Sequence, residues 1–248
     1  MKTIICNWKM NPSSIDEVNQ IIDVIAGNTT SVGRAELIIL PPSIYISHLQ
    51  GHQSRLFASL GVQDISSQGS GAYTGQLSAE MVYNLGLEYA LIGHSETHKY
   101  QHYASQDISQ KLQQVLIHNL VPILCVGYEE NPNSEEVNTD SIKQELYDII
   151  TPNKEFLAGK HIIVAYEPIW AIGTGVVPSI ENIETVSIFI KRMILDIVTP
   201  ESQTTVAVVY GGSVNKDNIQ ELSSIPSVSG FLIGGASLDK EQISILLG

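Results

Sequence analysis

His161-Ile162-Ile163-Val164-Ala165-Tyr166-Glu167-Pro168-Ile169-Trp170-Ala171-Ile172-Gly173-Thr174-Gly175 joins an apolar, β-branched run to a carboxylate, a proline and a segment closed by two glycines. The run from Ile162 to Ala165 is continuously apolar, the pattern of a strand covered on both faces in a parallel sheet. Glu167 is expected just past the end of that strand. Pro168 holds the backbone of Glu167 extended, while Gly173 and Gly175 relax the far side. The residues Pro168, Ile169, Trp170, Ala171, Ile172, Gly173 and Thr174 therefore read as a lid with an apolar tip, hinged beside a carboxylate. An ordinary strand-to-helix loop with a surface glutamate is the alternative.

Outside this stretch, strand-like and helix-like runs alternate. Apolar runs suited to strands fall at Thr3 to Asn7, Leu37 to Leu40, Phe57 to Val62, Tyr89 to Ile92, Val121 to Val126, Val206 to Val209 and Phe231 to Ile233. Between them lie helix-period sets such as Val18, Ile21, Ile22 and Ile25, or Ile183, Val186, Ile190, Met193 and Ile197. Alternation without hairpins implies right-handed crossovers and a parallel sheet, and eight units close into a single-domain α/β fold, the (β/α)8 TIM barrel, spanning 1–248. An open doubly wound sheet fits less well, because the first turn, Asn7 to Ser14, lacks the Gly-x-Gly-x-x-Gly fingerprint.

With 26 acidic and 13 basic residues the formal net charge is −13, which argues against nucleic acid as a partner. Neither a run long and apolar enough for a membrane span nor a basic, apolar leader is read, so the cytoplasm is the expected compartment. The two cysteines, Cys6 and Cys125, each sit inside an apolar run and read as buried thiols, not a disulfide or metal site.

A barrel brings the C-terminal ends of its strands to one mouth. There the chain places Asn7 and Lys9, His94, Glu167, and the pairs Gly211-Gly212 and Gly234-Gly235 with Ser213 nearby. Glycine pairs after the last two strands suit a phosphate held by backbone N–H groups, or are only tight turns. Lys9 suits an anionic substrate, or is a solvated lysine. His94, ahead of Ser95 and Glu96, is placed to be neutral at a helix start. A carboxylate and a neutral imidazole together suit proton abstraction beside a carbonyl.

Asn7-Trp8-Lys9-Met10-Asn11, Gly69 to Gly75, Ile92-Gly93-His94-Ser95-Glu96, Ala165 to Gly175, Tyr210 to Val214 and Gly234 to Leu238 together resemble the triosephosphate isomerase family, nearly from end to end. That resemblance implies cofactor-free, metal-free interconversion of dihydroxyacetone phosphate and D-glyceraldehyde 3-phosphate through an enediolate, in glycolysis and gluconeogenesis. It implies Glu167 as base, His94 serving both oxygens, and Lys9 with Asn7 stabilising developing charge. Gly173, Ser213, Gly234 and Gly235 would hold the phosphate, and lid closure would press Ile172 and Leu232 toward Glu167. A homodimer is implied, with Thr74 at the tip of the 66–75 loop inserted near the partner's site. Two other functions compete: a catalytically silent barrel acting as a binding protein, and another cofactor-free sugar-phosphate isomerase.

Three positions depart from the family. Thr97 stands where Arg is common and Gln76 where Glu is common, so an ionic contact across the dimer is absent without a charge being stranded. Tyr128 stands where the family has a Glu that accepts from the lid tryptophan, so Trp170 lacks that acceptor unless Tyr128 or Glu129 substitutes, and a shifted balance between open and closed lids is expected.

Overall fold

The computed structural model describes residues 2–28, 36–128, 139–171 and 177–247, with the backbone alone at Tyr128, Ala171 and Pro200. Its strands are β1 (Thr3–Asn7), β2 (Leu37–Leu40), β3 (Ser59–Val62), β4 (Tyr89–Ile92), β5 (Val121–Tyr128), β6 (His161–Pro168), β7 (Thr205–Tyr210) and β8 (Gly230–Ile233). The helices are α1 (Ile15–Asn28), α2 (Ile46–Gln50), α3 (Gln53–Leu56), α4 (Ala79–Asn84), α5 (Ser95–Gln101), α6 (Ser105–Ile117), α7 (Asp140–Ile150), α8 (Lys154–Leu157), α9 (Ile180–Val198), α10 (Ile219–Ser223) and α11 (Lys240–Leu247). All strands run parallel in the order β1 to β8, and β8 pairs back to β1 through Cys6↔Ile233, closing the barrel.

Alternation along each strand builds two apolar layers. Ile5, Ile38, Leu40, Leu91, Ile123, Cys125, Ile163, Ala165, Val209 and Leu232 fill the barrel interior. Their neighbours, Ile4, Cys6, Ile39, Ile92, Leu124 and Val164 among them, pack outward against helix residues such as Ile22, Leu112, Ile149 and Ile190. Helix starts use the serines that the sequence supplies. Ser14 Oγ accepts the Glu17 N–H at 3.3 Å, Ser78 Oγ that of Met81 at 3.2 Å and Ser179 Oγ that of Asn182 at 3.2 Å.

Two expected boundaries move. Glu167 lies inside β6 and not beyond it, because β5 and β6 stay paired to Tyr128↔Pro168, past the apolar run from which the end was read. Phe57 is not in β3. It ends α3 in the left-handed region at φ 46° and its side chain is exposed, so its β propensity is overruled by its place in the turn. Among the described residues no helix is long and apolar enough to cross a membrane.

Candidate active site

Strand parity aims the site residues. Asn7 shares parity with Ile5, and Glu167 with Ile163 and Ala165, so both point into the barrel at the mouth where the apolar layers stop. Both are nearly inaccessible, at 3% and 2% exposure. His94, 6% exposed, arrives differently. Gly93 turns the chain after β4 with φ 71°, and a Cβ there would press on the Cys125 carbonyl and Ile108, so glycine is needed on both counts.

His94 and Glu167 meet at 3.2 Å, Nε2 to Oε1. The Glu96 N–H donates to His94 Nδ1 at 3.2 Å, which leaves a lone pair on Nδ1 and the ring hydrogen on Nε2. The imidazole is thus a neutral donor toward Glu167. The second carboxylate oxygen, Oε2, accepts the Ser95 N–H at 3.1 Å, at the start of α5. Beside them the Cys125 thiol is held well above its ordinary range, first by burial and then by the carboxylates of Glu167 and Glu145, so it is inert as a nucleophile.

Lys9 has left-handed backbone, φ 54°, which costs a non-glycine residue about 1 kcal/mol. Its neighbours over-determine that conformation. Asn7 Oδ1 accepts the Lys9 N–H at 3.0 Å, and Gln63 Nε2 donates to the carbonyls of Lys9 and Leu40 at 2.8 and 2.9 Å. Lys9 Nζ is consequently presented at the mouth, paired with Glu96 Oε1 at 2.8 Å. Its stem passes Gly234, where a Cβ would lie 3.1 Å from Lys9 Cε.

Asn7, Lys9, His94 and Glu167 line one cavity of about 310 Å³, whose other wall is Gly211, Gly212, Ser213, Leu232, Gly234 and Gly235. The cavity therefore joins a carboxylate, a neutral imidazole, an ammonium and two glycine turns. Gly211 has little room for a side chain, since a Cβ would lie 3.0 Å from Glu167 Cγ, whereas a Cβ on Gly235 would meet open space. Asn215 and Gln242 also reach the cavity, and neither carried a sequence signal. Glu96 was legible only as part of Gly93-His94-Ser95-Glu96. Gly173, Ile172 and Thr174 lie outside the described residues, as does Glu129. Trp170 Nε1 is buried without a hydrogen-bond partner among the described residues, and Thr97 Oγ1 turns inward to donate to the His94 carbonyl at 2.7 Å. Thr74 stands exposed at the loop tip.

The described residues contain no group of three His, Cys, Asp or Glu placed to hold a metal ion. Comparison with known proteins agrees with the geometry along the whole chain. The family model described as "Triosephosphate isomerase" matches residues 2–247. A triosephosphate isomerase of Francisella philomiragia is 34% identical over 248 residues, covering 99% of this chain and 96% of its own length. The Photorhabdus laumondii enzyme of the same name is 35% identical, covering 97% and 93%, and that of Legionella pneumophila strain Paris 34% identical, covering 97% and 95%. A closed eight-stranded barrel, a paired histidine and glutamate at its mouth, and similarity spanning nearly every residue place this chain in the triosephosphate isomerase family.

Proposed function

We propose that the chain interconverts dihydroxyacetone phosphate and D-glyceraldehyde 3-phosphate with Glu167 as the base. The observation that carries this is the 3.2 Å contact of a neutral His94 Nε2 with the Glu167 carboxylate, inside a cavity that also holds Lys9 and the glycine turns. Glu167 takes a proton from the carbon beside the carbonyl and returns it to the adjacent carbon. His94 Nε2–H donates to the oxygen that becomes negative, and Lys9 Nζ and the Asn7 amide offset the charge of the enediolate. Backbone groups at Ser213, Gly234 and Gly235 hold the phosphate, with Gly173 completing the set when the lid closes. A proton parked on Glu167 exchanges with solvent before it returns, so product formed in deuterium oxide carries deuterium at the carbon that receives it. Product without solvent deuterium would contradict the enediolate path.

The same reading includes a homodimer in the cytoplasm. Met10, Ile44, Tyr73, Met81, Leu85 and Tyr100 expose large apolar side chains, and Met10 and Tyr100 line one hollow, the kind of surface a partner covers. Beside the catalytic cavity, a second hollow of about 490 Å³ runs between Lys9, Met10, Glu96, Thr97 and Tyr100. It is sized for a loop tip such as Tyr73-Thr74 of a second copy.

A further inference from the structure

Glu167 lines a further cavity of about 470 Å³, together with Gly93, Ser95, His98, Gly127 and Glu145. The substrate cavity and this one share Glu167, while Glu145 borders only the latter. Glu145 reaches it from α7. β4 stops pairing with β5 at Ile92↔Leu124, whereas β5 continues beside β6 to Tyr128↔Pro168. Beyond Leu124 β4 supplies no acceptor, and Glu145 Oε2 accepts the Gly127 N–H at 3.3 Å. Gly127 is the register partner of Glu167, and a Cβ there would overlap the Glu167 carbonyl oxygen. One side chain thus ties α7 to the strand position beside the base.

The other oxygen, Glu145 Oε1, faces His98 Nε2 at 3.9 Å. His98 Nδ1 lies 2.9 Å from the Tyr103 carbonyl, which only accepts, so Nδ1 carries hydrogen. Nε2 is buried and has no hydrogen-bond partner among the described residues, so the proton nearest to it is the one Glu145 can hold. Among the described residues, the titratable and charged groups around Glu145 are His98 from α5, Cys125 from β5, Glu167 from β6 and Asp148 on α7 itself. α6 adds only Ser105, and α9, which also packs on α7, adds no lining side chain. No lysine or arginine is among the described lining residues. Burial first, then the Glu167 charge, against the Gly127 hydrogen bond, pushes the Glu145 carboxyl up to about 7.

Taking the isomerase reading as its basis, the geometry points to Glu145 as a positioning residue for that reaction: it pins the strand beside Glu167 and, by holding or releasing one proton against His98, sets the charge behind the base. Proton abstraction moves negative charge from Glu167 to a substrate oxygen, away from Glu145. An ionised Glu145 favours that displacement and speeds the chemical step. The same charge opposes an incoming phosphate, so kcat and KM rise together when Glu145 releases its proton to solvent.

The test is the dependence of kcat and KM on pH on either side of about 7, for wild type and Glu145→Gln, whose amide oxygen still accepts from Gly127. Wild-type kcat is expected to rise on the order of threefold, with KM rising alongside, while Glu145→Gln stays at the low-pH level. Superimposed profiles with normal turnover overturn the role of Glu145 and leave the isomerase reading standing. No turnover by the folded wild type overturns that reading and the role with it. Carbon-13 NMR of wild-type side-chain carboxyls supplies a readout independent of turnover. A Glu145 signal titrating near 7 and displaced in His98→Gln is expected; one titrating in the ordinary carboxylate range overturns the proposal even if Glu145→Gln fails to fold.

Discussion

At the scale of single residues, chemistry was legible where it sits on strand ends and hidden where it sits on helices. Asn7, Lys9, His94 and Glu167 follow apolar runs, so their convergence could be read before any coordinates; Glu145 stands in an ordinary amphipathic helix, and nothing local tells that its carboxyl turns to Gly127 N–H. Its titration also ties stability to pH. The folded value, about 7, lies above the ordinary 4.5, so between those values the folded chain keeps a proton that the unfolded chain has released. Stability therefore falls as pH rises through that window. Glu145→Gln removes the loss and should gain on the order of 3 kcal/mol over wild type at about pH 8, and nothing at about pH 4, read from urea midpoints. A gain equal at both would contradict it. Lys111 is a second hidden residue. Its side chain is 3% exposed, with Nζ 2.6 and 2.7 Å from the Asp64 oxygens and 3.6 Å from the Tyr103 ring centroid. Lys111→Ala should cost about 3–5 kcal/mol by stranding Asp64, and Lys111→Met with Asp64→Leu far less, measured by thermal and urea unfolding.

At the scale of elements, the existence and order of strands followed from apolar runs, and their ends did not. Burial decides where a run is apolar, but backbone pairing decides where a strand stops. β5 and β6 carry each other past their apolar stretches to Tyr128↔Pro168, which puts Glu167 on paired strand instead of loop. Phe57 shows the converse, an aromatic drawn out of β3 by the left-handed end of α3. Glycines separate these roles experimentally. Gly127→Ala forces a Cβ onto the Glu167 carbonyl and should cost about 1–3 kcal/mol together with a fall in kcat. Gly235→Ala meets open space in the cavity wall, so unfolding should be unchanged while KM for the phosphorylated substrate rises. Equal melting losses in the two variants would contradict this division.

At the scale of the whole molecule, eightfold alternation was enough to expect closure, because parallel crossovers leave few ways to bury both faces of such a sheet. What alternation cannot give is the assembly, since the exposed Met10 and Tyr100 come together beside the mouth only once the chain has folded. Light scattering at micromolar concentration should return twice the chain mass of 27.1 kDa, and a monomeric mass would remove the dimer with its inserted Thr74. The isomerase reading rests on catalysis by the Glu167–His94 pair. A coupled assay of purified protein with D-glyceraldehyde 3-phosphate, run beside Glu167→Ala, addresses it directly. Turnover in wild type that falls by at least about 10²-fold in the variant is the expected result; near-normal turnover in Glu167→Ala, or none in folded wild type, would contradict it.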